Sequence, residues 1–437
     1  MYFSAFVIEK NKILCKILSV GNVGRFPTRL TNFIIRSDLM PAYTDNIDSI
    51  PYGTLGIISL PGTEELASKI DSYLVEWRHK KESEHKGTIA FCGYERDSYI
   101  LKAIFPRFGT GEGKCTLKES VRGYDLFILC DCFNHGIEYE MYGKKYPYSP
   151  DEHYANLKRA ISATAGKARR ITVIMPMLYE GRQHKRTSRE SLDCAIALQE
   201  LSFQMGVDNI ITFDAHDPRV MNAIPLRGFE NVYTTYQMIK AFVNNIDDLK
   251  IDKEHLMIIS PDEGGVNRAV YYSSVLGLDL GMFYKRRDYS RVVKGRNPII
   301  AHEFLGSNVE GKDVIVVDDM ISSGESMIEV AKKLKGMGAK RIFVCCAFGL
   351  FCNGLDNFDE AYKNGYIDKV FTTNLIYRMD ELKTKEWYCE VDLSKYISLL
   401  IDALNHDLSI SDLLNHAQRI KPFLQGKGYD IVIKSEN

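Results

Sequence analysis

The sequence predicts an α/β fold built on mostly parallel sheets. Short runs rich in β-branched residues alternate with helical patterns along most of the chain. The predicted strands are Leu126–Leu129, Ile171–Met175, Ile210–Phe213, Leu256–Ile259, Val314–Val317 and Ile342–Phe348. Apolar residues three and four apart predict helices over Asp151–Ala165, Arg189–Met205 and Met327–Lys335. Because parallel neighbours need crossover connections, helices are expected on the faces of each sheet.

The length of 437 residues allows two ordinary domains with appendages. We predict an N-terminal extension over 1–53, a first domain over 54–235, a second over 236–414 and a polar tail over 415–437. The divide follows Asn231–Thr235, where a new series of helices and strands begins. The stretch 137–148 is rich in Tyr and charge and is predicted to be a surface hairpin or lid.

Composition argues against several partner classes. The 56 basic and 57 acidic residues nearly balance, so no global charge attracts nucleic acid or an anionic membrane. No apolar run reaches the roughly 20 residues of a membrane span. The ten cysteines lack zinc-site spacing and are expected to be reduced core residues. These features predict a cytoplasmic protein with neither nucleic-acid nor membrane partners.

The segment Val314–Leu334 has the strongest functional pattern. A β-branched strand ends at Asp318 and Asp319, and an amphipathic helix follows after a sharp turn. The turn consists of small residues: Ser322, Ser323, Gly324 and Ser326. Backbone N–H groups at a helix N-terminus favour a phosphate, and carboxylates can take sugar hydroxyls or a Mg²⁺-bound water. An ordinary Ser-capped connection is the alternative, but the paired aspartates favour a phosphorylated sugar; the loop is not a Walker A motif.

A dense basic loop and several other motifs accompany this segment. In order they are RFGTGE (107–112), ESVRGYDLFI (119–128), GRQHKRTSRE (181–190), ITFDAHD (211–217), SPDEGGVNRA (260–269), YKRRDYSR (284–291) and VVDDMISSGES (316–326). This series resembles the ribose-phosphate pyrophosphokinases, or phosphoribosyl-diphosphate (PRPP) synthetases, from about Leu55 to Leu414. The last motif alone is also similar to the loop of phosphoribosyltransferases. The resemblance implies two phosphoribosyltransferase-like domains, each a mostly parallel sheet flanked by helices.

The resemblance implies an ATP site in the first half. Arg182, Gln183 and His184 would contact ATP, and a loop so rich in donors suits a triphosphate, although a solvated basic surface is the ordinary alternative. Phe108 and Glu112 would form part of the adenine pocket, where the alternative is a plain glycine turn. Family members more often carry Asp or Asn in place of Thr110.

The resemblance also implies a metal pair and a catalytic pair. His216 and Asp262 follow strand ends and would associate with Mg²⁺, the one implied cofactor. Lys285 and Arg287 would stabilise transition-state charge, because they precede a polar segment, Asp288–Gly306, that suits a lid over ATP. A surface patch is the alternative for these cations.

The implied reaction transfers a diphosphoryl group from ATP to ribose 5-phosphate, giving PRPP and AMP for nucleotide biosynthesis. The sugar phosphate would bind at Asp318, Asp319 and the small residues of the turn named above. The resemblance further implies a homo-oligomer, either a dimer or a hexamer. Two departures stand out: Ser322 replaces a usual third aspartate, and Glu325 replaces a usual small residue. Two rival hypotheses are a catalytically weak relative that regulates a true synthetase and a phosphoribosyltransferase that consumes PRPP.

Overall fold

Two β-sheets form the core of the described chain. The computed structural model describes residues 49–80, 91, 93–186, 188–287 and 299–429, and for 285–287 and 299–302 it describes the backbone only. Most of the predicted N-terminal extension, and residues 288–298 of the predicted lid, therefore lie outside the described residues.

The first sheet has five parallel strands in the order β1-β4-β7-β8-β9. Two small antiparallel hairpins, β2–β3 and β5–β6, leave this sheet. The strands are β1 (Thr54–Ser59), β2 (Ala103–Ile104), β3 (Thr116–Leu117), β4 (Tyr124–Leu129), β5 (Glu138–Met141), β6 (Lys144–Pro147), β7 (Arg170–Ile174), β8 (Asn209–Phe213) and β9 (Gly228–Val232).

The second sheet has seven strands in the order β12-β11-β10-β13-β14-β15-β16. Every pair is parallel except β11 with β12, which lies antiparallel at one edge. The strands are β10 (Leu256–Ser260), β11 (Asp279–Arg287), β12 (Ile299–Leu305), β13 (Asp313–Ile321), β14 (Ile342–Gly349), β15 (Lys369–Thr373) and β16 (Tyr388–Val391). In the sequence, all strands of the first sheet precede residue 235 and all strands of the second sheet follow it. The domain boundaries themselves stay a prediction.

Helices cover the sheets. They are α1 (Glu64–Lys80), α2 (Pro150–Ala163), α3 (Asp193–Gln199), α4 (Thr235–Asn245), α5 (Val266–Leu276), α6 (Glu325–Gly336), α7 (Asp356–Lys363), α8 (Ser394–Asn405), α9 (Ser411–Leu414) and α10 (His416–Gly426). A π-helical turn, Glu200–Gln204, continues α3, and single 3₁₀ segments occupy Pro218–Ala223 and Leu382–Thr384. The alternation of strand and helix is the predicted α/β architecture, which the structure confirms.

The apolar strand residues make a separate core in each half. Ile128, Val173 and Ile210 are buried in the first core, and Val316 and Val344 are buried in the second. Burial of each such side chain contributes roughly 1.5–3 kcal/mol to folding. All six predicted strands and the three predicted helical regions are present, although in the 189–205 region the helix begins at Asp193 and ends in the π-helical turn.

Helix α8 connects the halves. It follows the last strand of the second sheet, yet it packs on α1 of the first half. There Asp402 accepts hydrogen bonds from the buried guanidinium of Arg78 at 2.9 and 3.1 Å, and Ser398 Oγ donates to the Ile70 carbonyl at 3.2 Å. At the other end of the interface, Tyr377 N–H donates to the buried carboxylate of Asp131 at 2.6 Å. These contacts fix the strand ends of one sheet opposite those of the other.

Two appendage predictions and the prediction for the cysteines have outcomes in the described chain. The 137–148 stretch contains the β5–β6 hairpin, as predicted. The segment from 415, predicted to be a polar tail, instead begins with α10, which packs on α4. The prediction failed because His416, Ile420 and Leu424 lie on one helical face and are buried, although the overall composition of the segment is polar. The eight cysteines among the described residues have free thiols, and no helix in these ranges could cross a membrane.

Candidate functional site

The candidate site lies where the carboxyl ends of strands from both sheets face each other. Loops after β7 and β8 come from the first half, and the end of β13 and β14 comes from the second. A cavity of about 100 Å³ lies between them, with Arg182 and His216 on one wall and Asp319 on the other. Apolar side chains complete its lining: Phe133, Met177, Leu178, Phe213, Met320 and Phe348. Carboxyl strand ends are where α/β folds bind ligands.

His216 and Asp319 bridge the two halves. His216 Nδ1 lies 2.7 Å from Asp319 Oδ2, and the Asp319 side chain is only 7% exposed. The hydrogen bond to Asp319 raises the pKa of His216 above its ordinary value, against the effect of burial. Burial alone would raise the pKa of Asp319, but His216 and the charge of Arg268 bring it below its usual range. The pair is therefore an imidazole held in a fixed orientation by an ionised carboxylate.

Asp318 is the more accessible of the two aspartates. Its side chain is 22% exposed, and its Oδ1 accepts a hydrogen bond from the Asp319 N–H at 2.9 Å. Burial, together with the neighbouring Asp319 charge, raises the pKa of Asp318 above that of an ordinary carboxyl. Since His216 engages Asp319, the structure leaves Asp318 as the freer of the two carboxyl groups for a ligand.

The small-residue turn, residues 322–326, is the predicted phosphate-binding segment, or phosphate loop. Gly324 has a φ of +83°, and a Cβ there would lie 2.2 Å from the Phe358 ring, so this position requires glycine. Helix α6 begins directly afterwards, with Ile328 N–H donating to the Gly324 carbonyl at 2.9 Å. The first-turn N–H groups of a helix have no helical acceptor and form a ready anion site.

The two unusual loop residues have their own contacts. Glu325 accepts a hydrogen bond from Asn353 Nδ2 at 3.2 Å. Ser322 accepts the Cys352 N–H through its carbonyl at 2.9 Å, and its hydroxyl lies 3.9 Å from the Cys352 thiol. Both residues therefore contact the loop that follows β14.

The predicted ATP loop lies at the rim of the cavity. Arg182 lines the cavity, whereas Gln183 is exposed and its N–H donates to the Glu180 carbonyl at 2.8 Å. His184 Nε2 lies 3.3 Å from Asp217 Oδ2, and its ring centre lies 5.4 Å from that of His216. Burial lowers the pKa of His184, so its neutral form is favoured. The structure thus brings Arg182, His184 and His216 into one group.

Phe108 and Glu112 lie away from this group. They occupy the turn between β2 and β3, where Phe108 N–H donates to the Glu112 carbonyl at 2.9 Å and the Phe108 side chain is 59% exposed. The Gly109 carbonyl accepts from the Tyr142 N–H at 2.9 Å, so this turn docks on the β5–β6 hairpin. Neither residue lines the cavity of this chain, and their predicted contact with adenine stays a prediction.

The predicted catalytic pair lies at the end of β11. In the ladder with β12, Lys285 is opposite His302 and Arg287 is opposite Ile299. Their side chains lie outside the described part of the structure. Of the predicted lid over 288–306, residues 299–305 form the edge strand β12. The register of this ladder shifts between Arg286 and Arg287.

Asp262 is held in a tight turn after β10. Its Oδ1 accepts N–H groups from Gly264 at 2.9 Å and Gly265 at 3.2 Å, which leaves Oδ2 without an assigned donor in this turn. In the described ranges, no three His, Cys, Asp or Glu side chains form a complete metal cage. Mg²⁺ commonly uses one or two protein carboxylates and takes its other ligands from substrate phosphates and water. The donor chemistry of Asp262 fits such an ion.

Sequence reasoning missed a bridge made by Arg268. Its Nε lies 3.6 Å from Asp214 Oδ1 in the first half, and its Nη1 lies 3.8 Å from Asp318 Oδ1 in the second. Asp214 has a positive φ of 38°, an uncommon conformation for a residue other than glycine. The signal was present in SPDEGGVNRA, where a cation follows two glycines at a helix start, but only the fold shows which carboxylates it faces.

Two family models match successive parts of the chain. The N-terminal domain of ribose phosphate pyrophosphokinase matches residues 55–206, and the phosphoribosyl transferase domain matches residues 230–380. A ribose-phosphate pyrophosphokinase from Vibrio cholerae is 28% identical over 320 residues, which cover 72% of this chain and 91% of the relative. One from Rhodopirellula baltica is 27% identical over 311 residues, covering 70% and 88% of the two chains.

A solved structure extends the likeness to the fold. The crystal structure of phosphoribosylpyrophosphate synthetase from Mycobacterium smegmatis superposes with a TM-score of 0.64 and 20% identity, covering 81% of this chain and 99% of that one. The two matched models, the curated relatives and this shared architecture agree with the motif order along the sequence. The chain therefore belongs to the ribose-phosphate pyrophosphokinase family.

Proposed function

We propose that this protein transfers a diphosphoryl group from ATP to the anomeric hydroxyl of ribose 5-phosphate, forming PRPP and AMP. The observation that carries the proposal is the His216–Asp319 contact of 2.7 Å, because it joins the predicted ATP side of the first half to the aspartate pair of the second. A reaction between two phosphorylated substrates requires such a meeting of two binding sites. Family membership supports PRPP formation as the general activity.

The acceptor is proposed to bind at the end of β13. Asp318 would accept hydrogen bonds from ribose hydroxyls, and the backbone N–H groups of the phosphate loop, residues 322–326, would hold the 5-phosphate. The loop hydroxyls of Ser322, Ser323 and Ser326 are additional donors. Gly324 supports this role, since a Cβ at its φ of +83° would meet the Phe358 ring and displace the turn that precedes α6.

The donor is proposed to bind at the end of β7 and β8. Arg182 and Gln183 would contact the ATP phosphates and His184 would orient this loop through Asp217, from which it lies 3.3 Å. The adenine contacts of Phe108 and Glu112 complete the proposed ATP set. These two residues lie on a separate hairpin, so the base would extend away from the cavity.

The chemical step is a displacement at the β-phosphorus of ATP. The bond from the anomeric oxygen to the β-phosphorus forms, the bond from that phosphorus to the α,β-bridging oxygen breaks, and AMP leaves with that oxygen. The anomeric hydroxyl loses its proton, which is released to solvent. Lys285 and Arg287 are proposed to stabilise charge on the transferring oxygens, and each such donor is worth on the order of 10²–10³ in rate.

Mg²⁺ is the proposed cofactor. Asp262 would supply an oxygen ligand, and His216 Nε2 is the ring nitrogen left free by the contact of Nδ1 with Asp319. When bound, the ion would neutralise phosphate charge. A carboxylate behind a ligating histidine fixes its ring and increases its basicity, which is the role proposed for Asp319.

A regulatory relative is the second candidate function. Ser322 favours it, because a hydroxyl replaces the usual third aspartate in the loop that would bind the sugar. In this case the chain would associate with an active synthetase. Under the first proposal the protein is a homo-oligomeric cytoplasmic enzyme. A PRPP-consuming phosphoribosyltransferase remains the weakest alternative, since it would use neither the ATP motifs nor the Lys285–Arg287 pair.

Product analysis separates these functions. Purified protein is incubated with ATP, Mg²⁺ and ribose 5-phosphate, and AMP and PRPP are measured across metal and phosphate concentrations. The proposal predicts equal amounts of AMP and PRPP, both abolished when Lys285 and Arg287 are replaced by Met. Absence of AMP above a protein-free control would contradict it. Stimulation of a purified active synthetase by the otherwise silent protein would then favour the regulatory function.

A further inference from the structure

We propose that Arg268 is a positioning residue that ties the sugar-binding aspartate to the first half of the protein. The inference rests on the proposed function, because it assigns Arg268 a role in ribose 5-phosphate binding. Arg268 is the third residue of α5, just after the glycine turn that holds Asp262. Its guanidinium lies between Asp214, at the end of β8, and Asp318, at the end of β13.

The two carboxylates held by Arg268 differ in their other partners. Asp214 Oδ2 accepts hydrogen bonds from both the N–H and the hydroxyl of Thr234, and the former is 3.0 Å long. Asp214 is therefore anchored within the first half. The hydrogen bonds of Asp318 come from the adjacent Asp319, whose N–H donates to Asp318 Oδ1 at 2.9 Å. Within the described side chains, Arg268 supplies the opposite charge that Asp318 needs beside Asp319.

The backbone also brings these groups together. Gly265 lies so close to β13 that a Cβ there would be 3.5 Å from Asp318 Oδ1 and 2.9 Å from Ser260 Oγ. The absence of a side chain at Gly265 lets the start of α5 approach the aspartate pair. Arg268 follows within the first turn of that helix, so its position relative to Asp318 is set by rigid elements rather than by a long loop.

The geometry of this bridge differs from that of the structural ion pairs in the same fold. Arg341 forms a bidentate pair with Asp313, with distances of 2.6 and 3.0 Å. Arg170 similarly donates two hydrogen bonds of 2.8 Å to the Asp125 carboxylate. Arg268 instead contacts its carboxylates at 3.6 and 3.8 Å, and its buried Nε has no hydrogen-bond partner. The N–H groups of Arg268 are thus not all engaged in a bidentate ion pair with one carboxylate.

This arrangement has a direct consequence for the acceptor site. Without Arg268, the buried Asp319 and the partly exposed Asp318 beside it would have less opposing charge, and Asp318 would lose its link through Arg268 to Asp214 and the first half. A carboxylate that must receive sugar hydroxyls would then lose its fixed orientation. The loss should affect ribose 5-phosphate more than ATP, because the proposed ATP residues 182–184 follow β7, whereas Arg268 faces Asp214 and Asp318.

The test measures ribose 5-phosphate binding by isothermal titration calorimetry without ATP, and the KM of each substrate in the product assay. The variants are Arg268→Met, Arg268→Lys, Asp318→Asn and the double change, with Arg341→Met as the matched control. Arg268→Met should weaken ribose 5-phosphate binding at least ~10-fold and leave the KM for ATP within about 2-fold; Arg268→Lys should recover part of the loss. Arg341→Met should lower the thermal midpoint without changing ribose 5-phosphate affinity.

The double change decides whether the two residues act together. If Arg268 works through Asp318, the double variant should bind ribose 5-phosphate no more weakly than Asp318→Asn alone. Fully additive losses, or unchanged binding in Arg268→Met, would overturn the inference. Native protein that forms PRPP while Arg268→Met binds normally refutes only this role. If the native protein binds ribose 5-phosphate but forms no PRPP, the proposed reaction is refuted. The binding measurements on the variants then decide the role of Arg268 by themselves. Native protein that does not bind ribose 5-phosphate refutes both.

Discussion

The Nδ1–H of His216 donates a 2.7 Å hydrogen bond to Asp319, and this bond spans the two halves of the protein. The histidine follows β8 of the first sheet, whereas the aspartate lies near the end of β13 of the second. Under the proposed function, Asp319 would orient the histidine proposed to bind Mg²⁺, while Asp318 would bind the acceptor. The two aspartates, adjacent in sequence, therefore have different proposed roles.

Asp319→Asn should lower activity through His216. The amide keeps the size of the carboxylate but removes the charge that orients the ring and raises the pKa of His216. Loss of such a supporting partner typically costs 10–100-fold in metal affinity or activity. The measurement is a Mg²⁺ titration of the initial rate, which should shift to higher Mg²⁺ concentration.

The control for this change is Asp252→Asn. Asp252 makes an equally short contact of 2.7 Å with His255, but both side chains are exposed and neither lines the cavity. Its removal should leave the Mg²⁺ titration unchanged. If Asp319→Asn gave the same Mg²⁺ titration as the wild-type protein, the His216–Asp319 contact would have no role in metal binding.

Ser322→Asp should tighten ribose 5-phosphate binding. The change restores the carboxylate that the family usually carries at this position and adds acceptors for sugar hydroxyls. We expect the KM for ribose 5-phosphate to fall several-fold at saturating Mg²⁺. Ser72→Asp, on the exposed face of α1, adds the same charge elsewhere and should have no effect. An unchanged KM in both variants would make Ser322 functionally silent.

Gly324→Ala should be strongly destabilising for the phosphate loop. The backbone has a φ of +83°, and the new Cβ would lie 2.2 Å from Cε2 of Phe358. A positive φ alone costs a non-glycine residue on the order of 1 kcal/mol, and the clash adds to it. Denaturant unfolding and ribose 5-phosphate binding should both be impaired.

Gly336→Ala provides the comparison for that loop variant. Gly336 ends α6, and a Cβ there would meet no atom within 4 Å. Alanine at this position should leave stability unchanged or raise it by up to about 1 kcal/mol. Equal behaviour of the two alanine variants would refute the steric account of Gly324.

Acid should loosen the docking of α10 through His416. Burial, and then the charge of Arg419, lower the pKa of His416 to about 4. The ring accepts the Tyr236 N–H at Nδ1 over 3.2 Å, and its Nε2 contacts Tyr396 Oη at 3.1 Å, so a neutral ring suits the fold. The unfolded chain, with an ordinary pKa near 6.5, binds a proton that the folded chain excludes.

The contribution of His416 is thus fully present above pH ~6.5 and is lost as pH falls through about 4. It amounts to roughly 3–4 kcal/mol, at about 1.4 kcal/mol per pKa unit. Urea unfolding at a series of pH values should show this loss in the wild type. In His416→Gln, whose amide oxygen can still accept a hydrogen bond but does not titrate, that part of the pH dependence should vanish. Identical slopes for both proteins would contradict the assignment.

Local sequence patterns predicted the sheets because strand and helix formation is set over short stretches. The β-branched run at Val314–Val317 and the apolar spacing after it correspond to β13 and α6. The turn over residues 322–326 was predictable for the same reason, since the two aspartates, the small residues and the helix start are contiguous; its binding of phosphate stays a prediction.

Long-range packing was not predictable in this way. Nothing near Ser398 in the sequence indicates that α8 returns to α1 across more than 300 residues, as its contact with Ile70 shows. The same holds for Arg268, whose carboxylate partners come from two different sheets. The α10 helix was missed because three buried residues, spaced four apart, are diluted by polar neighbours.

The most direct measurement follows the β-phosphorus of ATP by ³¹P NMR during incubation with ribose 5-phosphate and Mg²⁺. We predict that both the β- and γ-phosphorus signals move together to the diphosphate of PRPP, while the α-phosphorus appears as AMP in equal amount. Retention of the β-phosphorus on the nucleotide, as ADP or unreacted ATP, would contradict diphosphoryl transfer by this protein.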